Sequence, residues 1–414
     1  MMTPLKIFQE WLLENQATIN DLKINVRQNG EREVISKQGI APYKNIVKIP
    51  KNLIITELHG MGTDFGQLLL KGDTSKINNL GISLVAIYIL TTFNKGCFFQ
   101  PYYDILPDNL DNFPIFWNKL ELSYLQGSNI LNKITERVES FLNDYNIIVM
   151  NCPGFKELHP LKNFIYIRTL IGSRNFGINI GGEKRVAMVP FADMLNHDID
   201  PDTRWYYCPS IQAFKMDSQK YISSFQEVTD TYGNKCNSKY LIFYGFAIPN
   251  NDKNAVHLEL TYCKNELNSA KRNICENFDG NLMNEIDADF FRLLCFLRVS
   301  VGTQKELLDN PHISSYETPL NKINELRALK NLYEMVNNIE AGYIKPYKVL
   351  VKEQKGMKPY TNKHTAITFI IGEINILLFY KGLAKEFIAQ LNGSNKKTNT
   401  KYQIYQKIVK QIIK

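Results

Sequence analysis

The pattern of apolar and polar positions divides the chain into zones of different period. Near the amino terminus Phe8, Trp11 and Leu12 fall on one stripe and predict an amphipathic helix, after which β-like segments run to "NIVKIPKNLIIT". Residues 65 to 170 carry mainly helical spacing, with the proline-punctuated loop "QPYYDILPDNLDNFP" between the helical runs. From 175 to 262 short strands and turns return: "RVAMVPF", "RWYYC", "IQAFKM" and "HLELTY". Beyond about 265 the spacing is helical to the end. Phe290, Leu294, Leu297 and Val301 form one stripe, and Ile323, Leu326, Leu329, Leu332 and Val336 a second. Ile367, Ile370, Ile374 and Leu377 form a third. Such stripes are core and carry no chemistry. "NGSNKKTNTK" reads as a solvated loop before a last basic helix, and there is no internal repeat.

Composition narrows the classes. A chain of 414 residues is long enough for two or three domains around real cores. Hydrophobic content of 44% and charged content of 22% are those of an ordinary globular protein. The net charge of +8, from 49 basic against 41 acidic residues, permits an acidic partner surface but falls short of a nucleic-acid footprint. The longest apolar stretch, "LGISLVAIYILTTF" from Leu80 to Phe93, is too short to span a bilayer and is expected to be a buried helix. Early acids in "MMTPLKIFQEWLLENQ", and no small-residue cleavage site, argue against a secretory leader. Seven cysteines without a C-x-x-C pair fit a reduced compartment and no structural zinc. Cytoplasmic or nuclear placement is expected, with neither nucleic acid nor membrane as a partner.

Several motifs fail on inspection. Asp198, Asp200 and Asp202 imitate an EF-hand opening, but Thr203 stands at the glycine position and Pro209 at the final glutamate. The three acids are expected to be turn and solvent residues. "GINIGGEK" has P-loop glycine spacing at Gly177 and Gly182, yet Glu183 replaces the phosphate lysine, so a hairpin turn is the better reading. His197 has no second histidine nearby, and no metal site is expected.

Two segments read together point further. "VPFADMLNH" is followed by "DTYGNKCNSKYLIFYGF" from Asp230 to Phe246. This pair resembles the SET-domain protein methyltransferases, in the branch that includes the Rubisco large-subunit lysine methyltransferase and the actin-histidine methyltransferase. There a "DMxNH" element precedes "YGxxxNxxxxxxYGF" in the same order and at a similar separation. "QPYYDILP…LSYLQGS" is similar to the branch's helical insert, and "FLRV" with "NELRALKNL" to its C-terminal helical domain. The resemblance implies an α+β fold: a SET-domain β-fold with pseudoknot over 1–262, a helical insert at about 65–170, and an all-helical substrate-binding domain over 265–414. The implied cofactor is S-adenosylmethionine (SAM), and the implied partner a protein bound by the C-terminal domain.

The implied reaction is in-line displacement of a methyl group from a sulfonium onto nitrogen, so catalysis is mostly alignment and water exclusion. An aromatic channel beside a positive sulfonium disfavours the ammonium form of a lysine. By resemblance Tyr232 is the catalytic tyrosine. Asn196 and His197 hold the cofactor's adenine and amino-acid portions, Asp193 orients their turn, and Arg174 meets the cofactor carboxylate. Tyr244 and Phe246 complete the channel wall and adenine side, and Asn237 ties the "YG" turn to the pocket. Phe176 lines the substrate channel, with either Tyr206 or Tyr207 as a further channel tyrosine. Ala192 and Phe176 offer an imidazole no acceptor, which favours lysine over histidine as the methylated residue.

The sequence departs from the branch at one turn. A "GxG" turn usually lets backbone approach the SAM tail. Aligned back from "VKIPKNLIIT", it falls on Glu31, Arg32 and Glu33, with Gly30 just before. A one-residue shift to Gly30, a bond from Glu31 to the SAM ammonium, and a dead half-pocket all stay open, the last making the chain a non-catalytic scaffold. Phe225 also stands where a glycine usually precedes the second motif.

Overall fold

The computed structural model describes residues 3–27, 31–261, 271, 278–309, 319–394 and 399–413. Two compact units divide the chain: Met1–Asp111 with Thr135–Asn234, and Asn112–Ile134 with Lys235–Lys414. The division after Asn234 lies well before the boundary near 262 expected from sequence.

The first unit holds short strands: β1 (Thr18–Ile19), β2 (Leu22–Val26), β3 (Arg32–Ser36), β4 (Asn45–Pro50), β5 (Ile55–Thr56), β6 (Asn175–Ile180), β7 (Glu183–Met188), β8 (Asn196–His197), β9 (Thr203–Cys208), β10 (Ala213–Ser218) and β11 (Thr229–Asp230). They form small sheets ordered β1-β4-β10-β9 and β5-β7-β6, with β2 paired to β3 and β8 to β11. The β6–β7 hairpin closes through Gly181 and Gly182 at φ +66° and +87°, the positive pair that a tight two-residue hairpin requires. The hairpin reading of "GINIGGEK" is therefore what the backbone does.

The amino-terminal helix Pro4–Glu14 buries Phe8, Trp11 and Leu12. Leu80–Thr92 is capped by the Asn79 side chain and buries Leu84, Val85, Ala86, Ile87 and Ile89, as a short apolar run should. Gly60 lets the helix Glu57–Met61 cross it, since a Cβ there would overlap the Leu84 carbonyl. Leu161–Arg174 packs against Leu80–Thr92 and delivers Arg174 at its last turn. Arg168 of the same helix makes a buried 2.8 Å ion pair with Asp144.

The second unit is mainly helical, but not wholly. β12 (Ala255–Leu260) and β13 (Phe278–Met283) pair antiparallel, Ala255 opposite Met283 and Leu260 opposite Phe278. The expectation of helix from about 265 onward is thus corrected: Phe278, Gly280 and Leu282 face the core and alternate with exposed Asp279 and Asn281, a strand period. Phe290, Leu294 and Leu297 are buried as expected in Ala288–Ser300. In Lys322–Gly342, Ile323 is 67% exposed, and Asn324 and Glu325 take the inner positions instead. Glu325 receives Arg298 Nε and Nη2 at 2.7 and 2.8 Å, so a buried ion pair overrides the hydrophobic stripe. The helix Asn362–Leu391 is long and apolar enough to cross a membrane by length and composition. Ile367, Phe369, Ile370, Ile374 and Leu377 of it are buried in this unit's hydrophobic core.

Candidate active site

The turn that carries Asp193 is shaped by strain. Phe191 is fully buried at φ +72° and ψ −48°, a rare conformation for a non-glycine residue that needs its surroundings to hold it. Asp193 then points inward, where its Oδ2 accepts the Tyr102 hydroxyl at 2.7 Å and Arg174 Nη1 at 3.3 Å. Arg174 Nη1 also donates to the Asp193 carbonyl at 2.9 Å. Burial pushes the Asp193 carboxyl up, opposed by Arg174 and the Tyr102 hydroxyl. Burial pulls Arg174 down, but Asp193, Tyr102 and Tyr232 outweigh it, and the guanidinium stays a firm cation. Arg174 Nε and Asp193 Oδ1 are buried without a hydrogen-bond partner among the described residues.

Downstream, β8 pairs parallel with β11, Asn196 beside Thr229 and His197 beside Asp230. Two stretches some thirty residues apart thereby run side by side, and Tyr232 follows directly. Its backbone N–H donates to His197 Nδ1 at 3.1 Å, its ring stacks on His197 at 5.1 Å, and its hydroxyl donates to the Leu195 carbonyl at 3.0 Å. An accepting Nδ1 carries no proton, which fixes the His197 tautomer.

The Asn196 side chain closes the site toward the amino-terminal strands. Its Nδ2 donates to the Arg32 carbonyl at 3.0 Å and to Glu227 Oε1 at 2.8 Å. Here the sequence reading needs correction. Arg32 and Glu33 belong to β3, opposite Val26 and Asn25, so they are strand and not turn residues. Arg27 donates from Nε to Glu33 and from Nη2 to Glu227, both at 2.7 Å, and lies 3.7 Å from Glu31. The Glu31 and Glu33 carboxylates thus both face the Arg27 guanidinium, which Glu227 shares. Gly30 lies outside the described residues.

Phe176 packs edge-on against Trp205 and Phe214, at 5.3 and 5.1 Å between centroids. Along β9, Trp205 and Tyr207 share a face and Tyr206 takes the other, where Lys215 lies over its ring at 5.5 Å. Of the two tyrosines left open, Tyr207 is the one on the face of Phe176's partner, and its hydroxyl reaches Gln212 at 3.4 Å. In the second unit Phe246 stacks on Tyr240 at 5.1 Å and lies 6.2 Å from Tyr244. Asn237 bonds Ile248, Asn251 and Asn254, so it ties the segment after Phe246 and not the "YG" turn.

Asp198 and Asp200 are exposed, but Asp202 is not the solvent residue expected. It is 3% exposed and its Oδ2 accepts the Thr229 backbone and hydroxyl, both at 3.0 Å, which pins β11. Among the described residues no group of three His, Cys, Asp or Glu is arranged to hold a metal. Sequence reasoning also missed Tyr102, Trp205 and the Leu195 carbonyl. Tyr102 lies in "QPYYDILP" and Trp205 in "RWYYC", stretches read for their elements and not for site residues, and a backbone carbonyl leaves no mark in a sequence.

The β-fold with its parallel strand crossing, the helical insert and the helical C-terminal region together define a SET-domain fold. No family model matches the chain. Among solved structures it superposes on the SET domain of LSMT bound to lysine and AdoHcy with a TM-score of 0.77 at 21% identity, covering 97% of this chain and 94% of that one. Rubisco LSMT bound to AdoMet gives 0.77 at 20% identity, covering 99% and 100%. In sequence it is similar to the actin-histidine N-methyltransferase of Homo sapiens, 22% identical, over 84% of this chain and 62% of that protein. The N-lysine methyltransferase setd6 of Danio rerio is 26% identical over 60% of this chain and 58% of its own length. The chain spans about three-fifths of the length of these curated relatives. It matches the SET-domain methyltransferases of the LSMT-like branch and has their fold.

Proposed function

We propose that this chain is a SAM-dependent protein N-methyltransferase and that it modifies a lysine. The observation that carries the reading is the lock between the two motifs: Tyr232 held by His197 Nδ1 through its backbone and by the Leu195 carbonyl through its hydroxyl. A hydroxyl whose hydrogen is committed turns its lone pairs elsewhere, and fixed negative dipoles of that kind stabilise charge moving off a sulfonium. The residues fit the cofactor. Arg174 is anchored by Nη1 alone, and its Nη2 makes no hydrogen bond to the described residues, so donors remain for a carboxylate. SAM supplies the electrophilic methyl group. The chain excludes water, keeps the acceptor nitrogen neutral and aligns it.

Lysine is favoured because Phe176, Trp205 and Phe214 form an apolar aromatic face and Ala192 is small and buried. None of their side chains offers an imidazole N–H an acceptor, whereas an apolar wall disfavours an ammonium ion. The relative from Danio rerio named an N-lysine methyltransferase supports this. Histidine is the second reading, carried by the relatives that align over 84% of the chain and are named for actin-histidine methylation. The roles of Tyr244 and Phe246 rest on the motif alone. We assign protein binding to the helical second unit and placement to the cytoplasm or nucleus. Free thiols at Cys97, Cys152, Cys208, Cys236 and Cys295 support a reducing compartment.

Two measurements test the reading. SAM or S-adenosylhomocysteine near millimolar concentration raises the melting temperature by mass action, and no shift refutes cofactor binding. Labelled methyl groups are then followed into a cell extract. Tyr232→Phe lowers transfer by a factor on the order of a hundred while cofactor affinity stays within a few-fold. Equal labelling by both proteins would remove Tyr232 from the mechanism. Amino-acid analysis of the product separates methyllysine from methylhistidine.

A further inference from the structure

Arg32 stands on β3 where the branch's glycine turn was expected, and its side chain heads for the Arg174 neighbourhood. Its Nη1 donates to the Ile105 carbonyl. Ile105 follows the short helix Gln100–Tyr103, whose Tyr102 hydroxyl holds Asp193, which in turn holds Arg174. The backbone of Arg32 is fixed from the other side, since Asn196 Nδ2 bonds its carbonyl and β3 packs on the turn Ala192–Met194. Two guanidinium groups are therefore hung from one short wall.

Neither is used up. Arg32 is only half-buried, and its Nε and Nη2 make no hydrogen bond to the described residues. Burial lowers its affinity for the proton, and the nearby Arg174 lowers it further, while the carboxylates of Asp108 and Asp193 act against both. Asp193 is engaged by Arg174 and Tyr102, and Asp108 is exposed. Like charges held close around unused donors are a seat for an anion.

Resting on the function proposed above, we infer that Arg32 and Arg174 together grip the carboxylate at the amino-acid end of SAM. A strand side chain thereby supplies the anchoring that a glycine turn would give through backbone. The replacement at Glu31, Arg32 and Glu33 then relocates one contact and does not mark a dead half-pocket.

The test compares S-adenosylhomocysteine with its decarboxylated analogue, which keeps the adenosine, sulfur and amine, by calorimetric titration of the full chain. Wild type prefers the carboxylate form. Arg32→Met weakens S-adenosylhomocysteine roughly ten- to hundred-fold, the scale of one charge-assisted contact, and leaves the analogue within about two-fold. Arg32→Lys recovers part of the preference because charge returns without the planar fork. An unchanged preference in Arg32→Met overturns the role of Arg32 while leaving the proposed function standing. Equal loss of both ligands means a damaged pocket and also overturns it. Binding of neither ligand by wild type defeats the proposed function and this inference together.

Discussion

Asp230 offers a test of the strand crossing that needs no substrate. It is 2% exposed, pairs through β11 with His197 on β8, and its Oδ1 accepts the Thr203 hydroxyl at 3.1 Å. Burial raises its carboxyl from the ordinary 3.8 to about 6, against the pull of the Thr231 backbone and the Thr203 side chain. The sign follows from proton counting. Between those two values the folded chain keeps a proton that the unfolded chain has released, so folding loses stability as pH rises through the window. The whole shift corresponds to about 3 kcal/mol, at 1.36 kcal/mol per pH unit. The stabilising contribution is complete below about pH 4 and gone above about pH 6.

Asp230→Asn removes the charge and keeps an oxygen for the Thr203 hydroxyl. The variant is therefore more stable than wild type at pH 7 by an amount approaching 3 kcal/mol, and the gain shrinks to nothing near pH 4. Chemical denaturation of both proteins at half-unit steps from pH 3.5 to 8 reads the difference directly, and subtraction cancels every other titrating group. Methyl transfer stays within a few-fold, because the carboxylate faces Thr203 and not the Tyr232 hydroxyl. A difference that is constant with pH, or that widens toward acid, would refute the reasoning.

Other consequences are independent of this one. Phe225 is 69% exposed at φ +63°, so Phe225→Gly relieves a left-handed strain and raises stability by about 1 kcal/mol in the same denaturation assay. Arg298→Met strands Glu325 in the core of the second unit and costs roughly 3–5 kcal/mol, whereas the double variant Arg298→Met/Glu325→Gln costs less than the single changes summed. Gly127→Ala sets a Cβ against the Gly342 carbonyl at φ +90°, and loss of soluble, cooperatively melting protein is the expected result.

The legible part of this chain was the part written in period and in motif. Phe8, Trp11 and Leu12, the run from Leu80, and the "GINIGGEK" turn declared themselves because local spacing dictates local geometry. Ile323 and β13 did not. At Ile323 the inner face was decided by an ion pair with Arg298, a residue on another helix that no stripe can reveal. At β13 the partner strand β12 lies well back along the chain, and a strand of six residues is fixed by what it pairs with.

The site divides along the same line. That Asn196, His197 and Tyr232 come together was readable because two motifs at a set separation specify a crossing of two strands, and β8 beside β11 is that crossing. At Arg32 and Glu33 a turn was expected where the backbone is strand β3. Arg27, four to six positions earlier and opposite across the hairpin, faces Glu31 and Glu33, and Glu227 reaches it from beside Asn196. Ion pairing of this kind depends on which residues a register brings together, and β2–β3 registry is set by backbone hydrogen bonds that residue identity encodes only weakly. The same registry sends Arg32 toward Arg174, so the feature that argued against a cofactor is the one from which its anchoring is inferred.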